Sequence, residues 1–286
     1  MDSHKGQPLI PAHMRVVLTT CPRAAPAHSH PFQDIVRLGD RVTLWDVYNQ
    51  HFKNATYVDL THEFFPGQPK FPALPDQTMS TFLSLERGDL FEITQYGFVG
   101  QWGTHVDPPW HMHREGRKLA QLEVKEMLLP LCVLDVSSQV ARDPDYCPTL
   151  EDVHSWETEH GPVPAGSFVA LRTDWSKRWP SSEAMANSDS SGTAHFPGWS
   201  LEVLQLLLEE RGVTAVGHET TDTDGGISTT RHGSWALESY ILGRDVWQLE
   251  LLTHLDQVPR AGALLMASWP KPQGGSGFPA RAVAIF

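Results

Sequence analysis

The chain has 286 residues, of which 40% are hydrophobic and 20% are charged, and its formal net charge at pH 7 is -12. A chain of this length buries a large core, and α/β enzymes of similar size often form one domain. The negative charge and the lack of a Lys/Arg run argue against nucleic acid as a partner, and three cysteines without a C-x-x-C pair argue against a disulfide framework or a thiolate zinc site.

The first segment in chain order, residues 1–40, is rich in Pro, His and Ala and has no sustained periodicity. This composition predicts an extended N-terminal arm rather than a folded unit. The arm lacks the apolar stretch of a secretory signal, and the longest apolar run, 127–136, is interrupted by Pro130 and Asp135 and is too short to span a bilayer. We therefore expect a cytoplasmic protein without membrane contact, in which residues 41–286 form one domain.

Apolar patterning along residues 41–286 predicts a β-rich α/β domain. The spacing over 42–52 is helical, whereas short apolar runs rich in β-formers are typical of buried strands covered on both faces of a sheet. The predicted strands are 57–61, 128–136, 168–172, 213–216, 263–267 and 282–286.

Two further segments carry helix signals. Residues 200–211 have Ser200 as a candidate N-cap, leucines along one stripe and Gly212 at the end. Residues 150–159 are preceded by Thr149 and followed by a glycine, which predicts a second helix. The small, polar stretch 181–193 predicts a surface loop inside the domain.

Three potential metal ligands fall within seven residues. Gln101, His105 and Asp107 supply an amide oxygen, an imidazole and a carboxylate, which are ligand types suited to a divalent metal. Because alternate residues of a strand face the same way, His105 and Asp107 would share one face. Two prolines then end the strand and place His111 on a turn, where it could act as general base or as a further ligand. Histidines at this spacing also arise by chance in a chain with 15 of them.

The segment from Gly103 to His111, GTHVDPPWH, resembles the G-T-H-x-D-x-P-x-H signature of the cyclase family of metal-dependent hydrolases, which includes kynurenine formamidases and isatin hydrolases. Other stretches resemble further family motifs in the same order: 58–63 (VDLTHE), 196–200 (FPGWS), 217–220 (GHET) and 250–255 (ELLTHL). The resemblance covers the chain beyond about residue 40. It implies a β/β/α cyclase-type fold with a barrel-like core and a homodimer or larger homo-oligomer.

The chain differs from formamidase-like members at two positions of the site. Gln101 stands where they have a first histidine, and an amide oxygen is a weaker ligand than imidazole, so both Zn²⁺ and Mn²⁺ are candidate ions. Glu238 stands where they have a histidine twelve residues before the motif glutamate, which here is Glu250. We expect His111, Glu238 and Glu250 to be the catalytic residues. The family motif implies this role for Glu250, and both glutamates lie in an apolar stretch where a carboxylate is costly unless it is paired or bound to a metal. For Glu238, a salt bridge or a solvated helix face is the alternative.

Three aromatic residues near these motifs, Phe64, Trp102 and Trp110, are candidates for lining an apolar substrate pocket, although aromatic residues beside a site are as often ordinary core. A run of carboxylates at Glu219, Asp222 and Asp224 could hold a second cation, but such clusters more often orient loops.

The resemblance implies a metal-dependent hydrolase that opens a small lactone or a cyclic or aryl amide, by attack of metal-bound hydroxide on the carbonyl. The Gln-x-x-x-His-x-Asp variant resembles the branch that includes zinc-dependent trans-dienelactone hydrolase, which favours a lactone. The alternatives are an arylformamidase and a non-catalytic relative that binds a small molecule.

Overall fold

The computed structural model describes residues 42–286, so the predicted N-terminal arm lies outside the described residues. Eleven strands occur in this range: β1 (Tyr57–Asp59), β2 (Thr78–Leu83), β3 (Ile93–Gly97), β4 (His105–Asp107), β5 (Leu128–Asp135), β6 (Phe168–Arg172), β7 (Ala215–His218), β8 (Trp247–Glu250), β9 (Ala263–Ser268), β10 (Phe278–Pro279) and β11 (Arg281–Ile285).

Seven helices accompany the strands within residues 42–286. They are α1 (Leu44–Val47), α2 (Ser137–Val140), α3 (Leu150–His160), α4 (Ser182–Ala186), α5 (Leu201–Gln205), α6 (Gly226–His232) and α7 (Ala236–Gly243). Helices α1 and α5 each continue as a π-helical turn, over Tyr48–Phe52 and Leu206–Glu210. No helix in the described part of the chain is long and apolar enough to cross a membrane.

Nine strands form one mixed sheet in the order β1-β11-β9-β5-β6-β7-β8-β4-β10, and β2 and β3 form a separate hairpin. Strands β5 to β8 run parallel to one another, while β4 pairs with β8 in the antiparallel sense. An isolated bridge joins Thr61, just beyond β1, to Leu252, just beyond β8. Because β1 and β8 are the first and seventh strands of the sheet order, this bridge shows that the sheet curls into a half-barrel, which confirms the predicted β-rich α/β fold with a barrel-like core.

The central strands are apolar on both faces because each face is covered. Along β6, Phe168 and Ala170 belong to one buried cluster, and Val169 and Leu171 belong to the other. The second cluster also contains apolar residues of three helices, namely Val153 and Trp156 of α3, Val203 and Leu204 of α5, and Ile241 and Leu242 of α7. The helices therefore pack on one face of the sheet, and the other face forms the interior of the half-barrel.

The predicted elements are found close to their expected positions. Helix α3 is capped as predicted, because the Thr149 hydroxyl accepts a hydrogen bond from the Asp152 amide at 3.3 Å, and Gly161 follows it with a φ of 86°. The surface loop predicted at 181–193 is wrong in its first part. A five-residue helix, α4, begins there because the Ser181 hydroxyl accepts a hydrogen bond from the amide of Ala184 at 3.1 Å, and so short a helix leaves no apolar period in the sequence.

Candidate metal centre

The site is built on one pair of antiparallel strands. In the register of β4 and β8, His105 lies opposite Glu250 and Asp107 lies opposite Gln248. Directly opposed residues point to the same side of a sheet, and so do residues two apart on one strand. All four side chains therefore share one face, as predicted for His105 and Asp107, and β4 ends at Asp107 before the two prolines.

His105, Asp107 and Glu250 place one ligand atom each within 4.8 Å of one another, and all three residues are buried. The Nε2 atom of His105 lies 3.3 Å from Oδ2 of Asp107 and 3.5 Å from Oε2 of Glu250. Within residues 42–286 this is the only group of three His, Cys, Asp or Glu donors close enough to hold a metal ion.

The imidazole of His105 is oriented for ligation. Its Nδ1 lies 2.8 Å from the carbonyl oxygen of Gly103, so the ring hydrogen is donated there and the lone pair of Nε2 is left free to bind a metal ion. Nε2 is buried and has no hydrogen-bond partner. Burial disfavours the charged imidazole, but the carboxylates of Asp107 and Glu250 outweigh it and raise the pKa of His105 to about 9. The ring thus faces a place that attracts positive charge, which fits a metal ion.

Asp107 is the ionised member of the group. Burial would raise its pKa, but the imidazoles of His105 and His111 and the amide of Gln101 together hold the pKa of Asp107 well below its usual range. The Nε2 atom of Gln101 donates to Oδ1 of Asp107 at 3.0 Å and to the carbonyl of Ser276 at 2.9 Å. Gln101 therefore borders the predicted site, and its role as a ligand stays a prediction.

Gln248 is a site residue that the sequence analysis missed. Its Nε2 lies 3.1 Å from Glu250 Oε1, and 3.4 Å from both Asp107 Oδ2 and Glu238 Oε1. The hydroxyl of Thr223 donates to Gln248 Oε1 at 2.7 Å, which directs the amide hydrogens toward the carboxylates. The alternation of Gln248 and Glu250 along an apolar run is a signal in the sequence, but only the strand register shows which residues they face.

Glu238 lies in the first turn of α7 and is buried, so the alternative of a solvated helix face does not hold. Its Oε1 lies 3.5 Å from Nε2 of His111. Burial and the nearby carboxylates of Glu250 and Asp107 raise the pKa of Glu238 well above its usual range. Glu250 behaves alike, because burial and the carboxylates around it outweigh the pull of His105 and raise its pKa. Burial and the crowding of carboxylates therefore disfavour the negative charge on both Glu238 and Glu250.

A cavity of about 520 Å³ opens onto these residues, and this volume lies within the usual range for small-molecule sites. Gln101, His105, Asp107, His111, Glu238 and Glu250 all contribute to its wall. Phe71, Leu74, Met112 and Trp235 add apolar surface to the same wall.

Comparison with known proteins decides the family. The model of the Cyclase family matches residues 58–225, which is more than half of the chain. Isatin hydrolase from Roseibium aggregatum is 30% identical over 245 residues, covering 80% of this chain and 90% of that protein.

The chain belongs to the cyclase family of metal-dependent hydrolases.

Solved structures of cyclase relatives agree with the fold. Isatin hydrolase A from Ralstonia solanacearum has a TM-score of 0.79 and 29% identity, covering 86% of this chain and 98% of that chain. Isatin hydrolase A from Labrenzia aggregata, bound to benzyl benzoate, has a TM-score of 0.78 and 29% identity, covering 85% and 99% respectively. The prediction that the chain is a metal-dependent hydrolase is confirmed.

None of the three aromatic residues predicted to bind substrate lies in the wall of the metal-centre cavity. Trp102 is fully buried and donates its indole hydrogen to Gln77 at 2.7 Å. Phe64 lines a different cavity, and Trp110 lies under the ammonium group of Lys118 at 4.5 Å. The aromatic side chains in the wall of the site cavity are instead Phe71 and Trp235, which come from a loop and a helix start that the motif spacing does not reveal.

The acidic run after β7 orients loops, as the sequence analysis favoured. Glu219 accepts hydrogen bonds from the amide and hydroxyl of Thr173, at 2.6 and 2.9 Å, and from the hydroxyl of Ser176 at 2.6 Å. Asp224 accepts hydrogen bonds from the amides of Leu237 and Glu238 at the start of α7. These contacts place α7, and with it Glu238, against the metal centre.

Gly277 allows the close packing of the centre, and we predict that Gly277→Ala lowers turnover. A Cβ at this position would collide with the amide of Gln101 and lie 3.0 Å from Oδ1 of Asp107. Both side chains would have to shift, and small misplacements of reacting groups cost roughly 10²-fold in rate. Steady-state kinetics and metal analysis test this, with Gly262→Ala as the control for a glycine that has open space, a positive φ of 91° and no place in the wall of the metal-centre cavity. Parent-like turnover of Gly277→Ala would contradict the close packing.

Proposed function

We propose that this chain opens a small cyclic amide by hydrolysing its C–N bond at the centre formed by His105, Asp107 and Glu250. The observation that carries the proposal is the buried Nε2 of His105, which has no hydrogen-bond partner and faces two carboxylates at a cavity of about 520 Å³. The similarity to isatin hydrolases, at 30% identity over most of the chain, favours a cyclic amide as substrate.

A divalent ion would be held by His105 and Asp107, with Glu250 or Gln101 completing the ligand set. Imidazole, carboxylate and amide oxygen suit both Zn²⁺ and Mn²⁺, so both ions belong to the proposal. Such an ion, when bound, lowers the pKa of a coordinated water and polarises a substrate carbonyl.

Side chains of the site would deliver the proton that the leaving nitrogen needs. Opening a cyclic amide with water requires one proton to reach the ring nitrogen that leaves. His111 is part-exposed at the cavity wall, and its Nε2 lies 3.5 Å from Glu238, a carboxyl group whose pKa is raised by burial and by the nearby carboxylates of Glu250 and Asp107. We assign the delivery of the proton to His111, backed by Glu238. Gln248 fixes the carboxylates of Asp107 and Glu250 by its amide hydrogens.

A panel of cyclic amides, lactones and aryl formamides, each assayed with Zn²⁺ and with Mn²⁺, tests the proposal. Near-stoichiometric metal together with chelator-sensitive opening of a cyclic amide supports it. Opening of lactones alone would instead favour the trans-dienelactone hydrolase-like alternative, and cleavage of aryl formamides alone would favour an arylformamidase. Binding without turnover at any added metal would indicate a ligand-binding relative and would overturn the proposal.

We predict that Gln101→His retains or tightens metal binding, because imidazole is a stronger ligand than an amide oxygen. The same variant should change the rate, since the hydrogen bond from Gln101 to Asp107 at 3.0 Å is lost. Metal titration followed by kinetics provides the measurement, with Gln95→His, on the exposed strand β3, as the matched control. Loss of metal from Gln101→His would contradict a role for Gln101 as a ligand.

The homo-oligomeric state and the cytoplasmic location implied by the sequence and the resemblance stay predictions. Size-exclusion chromatography with light scattering tests the first, and fractionation of the native host tests the second.

A further inference from the structure

A second cavity of about 390 Å³ adjoins the cavity at the metal centre. The two cavities share six wall residues, which are Pro69, Lys70, Phe71, Thr221, Asp222 and Trp235. The second cavity extends away from the metal centre toward α4 and α6, where Met185, Ala186 and Thr229 contribute to its wall.

An aromatic pair stands between the two cavities. The rings of Phe71 and Trp235 meet edge to face with their centroids 5.9 Å apart, and both residues line both cavities. The indole of Trp235 is held in place because its N–H donates to Oδ1 of Asp222 at 3.1 Å. Phe71 lies in the segment between β1 and β2, outside any helix or strand. The two cavities therefore share an aromatic wall, in which the orientation of the Trp235 ring is fixed by Asp222.

The chemistry of the second cavity favours an apolar occupant. Its wall contains Met185, Ala186, Ala194 and Phe196. The hydroxyl groups of Thr229 and Thr230 already donate to the carbonyl of Gly226, at 3.2 and 2.6 Å, so they have no hydrogen left for a ligand. Ser182, Ser188 and Thr221 add further hydroxyl groups to the wall, but the apolar side chains offer a polar group no replacement for its hydrogen bonds to water, which is costly.

The excess of acidic residues around the two cavities disfavours an anionic occupant. Asp222 lies on the shared wall, and Asp107, Glu238 and Glu250 lie on the wall of the metal-centre cavity. Lys70 is the only Lys or Arg among the residues that line either cavity, and its Nζ already donates to the carbonyl of Leu74 at 2.6 Å.

We propose that the second cavity is a subsite for an uncharged alkyl or aryl substituent on the cyclic amide, reached past Phe71 and Trp235 while the scissile bond lies at the metal centre. The substrate is therefore a substituted ring rather than the bare ring. This inference rests on the proposed function for the position of the scissile bond, but the apolar subsite itself is defined by the cavity walls.

Binding of two ketones that the protein cannot hydrolyse tests the subsite without turnover. Indanone and an indanone with a propyl group on its aromatic ring are titrated into the full-length protein by isothermal calorimetry. Because each buried methylene contributes about 0.8 kcal/mol, the propyl compound should bind roughly tenfold or more tightly than indanone. The propyl group is placed at each position of the aromatic ring in turn. If none of these propyl compounds binds more tightly than indanone, the inference is overturned.

A variant that fills the second cavity locates the effect. Ala186→Phe, at the end of α4, should abolish the tighter binding of the propyl compound and leave the affinity for indanone within about twofold. The control is Ala184→Phe, on the same helix but outside the cavity wall, which should still bind the propyl compound more tightly than indanone. Should Ala186→Phe fail to fold, Ala73→Phe fills the same cavity from the facing loop. Retention of the propyl advantage in a folded, filled variant would overturn the subsite.

Turnover of the matching cyclic amides separates this inference from the proposed function. If both amides are opened and the propyl amide has a kcat/KM at least about tenfold higher, both hold. If neither amide is opened but the propyl ketone binds more tightly and loses that advantage in Ala186→Phe, the proposed function fails and the subsite stands. If both amides are opened equally well, the subsite is wrong and the proposed function stands.

Discussion

Replacing Asp107 with alanine is expected to abolish both metal retention and turnover. Asp107 is 1% exposed, and it accepts hydrogen bonds from the amides of Gln101 and Gln248. Burial would raise its pKa, but the imidazoles of His105 and His111 outweigh burial and hold the pKa low. It is therefore the carboxylate of the centre that stays ionised and supplies most of the charge compensation for a divalent ion. Metal content after dialysis and ring-opening kinetics measure the outcome.

The matched control for Asp107→Ala is Glu115→Ala, which removes the same charge from the same part of the chain at an exposed position. The control should keep its metal and its activity, and circular dichroism should show that both variants fold. If the Asp107→Ala protein is fully active and retains its metal, Asp107 is not a ligand of the centre.

The sequence predicts half of this centre directly. The i, i+2 spacing of His105 and Asp107, followed by two prolines, is enough to place both side chains on one face at the end of a strand. The other half depends on the pairing of β4 with β8, which joins Asp107 to Gln248 across 141 residues. No local pattern encodes such a register, so Glu250 was found only through the family resemblance and Gln248 was missed.

The fold shows the same division between local and distant information. The central strands were predicted because a sheet covered on both faces leaves apolar runs such as β6. Helix α7 was missed because its start carries no local capping signal: the side chain of Trp235 at the N-cap makes no capping hydrogen bond, and the amide of Glu238 donates instead to Asp224. The hairpin of β2 and β3 was missed because it is largely exposed and carries no apolar alternation.

Glu250→Gln is expected to lower turnover by about 10² to 10⁴-fold, the usual contribution of a group that transfers a proton. The carboxyl group of Glu250 lies between two imidazoles, with Oε2 3.5 Å from His105 and Oε1 3.4 Å from His218. Burial and the surrounding carboxylates raise the pKa of Glu250, so the site disfavours its negative charge, and glutamine copies its shape without that charge. Folding should therefore survive, and the metal-free variant should melt no lower than the parent.

Metal content then identifies what Glu250 does. A loss of turnover at unchanged metal content identifies proton transfer, as the family resemblance implies, whereas a coupled loss of metal identifies a ligand, as the grouping with His105 and Asp107 allows. Glu63→Gln is the matched control, because Glu63 belongs to a motif of the same family but is exposed and lies outside the wall of the metal-centre cavity. If the turnover, pH profile and metal content of Glu250→Gln all equal those of the parent, Glu250 is a structural residue and the role that the family motif implies for it is wrong.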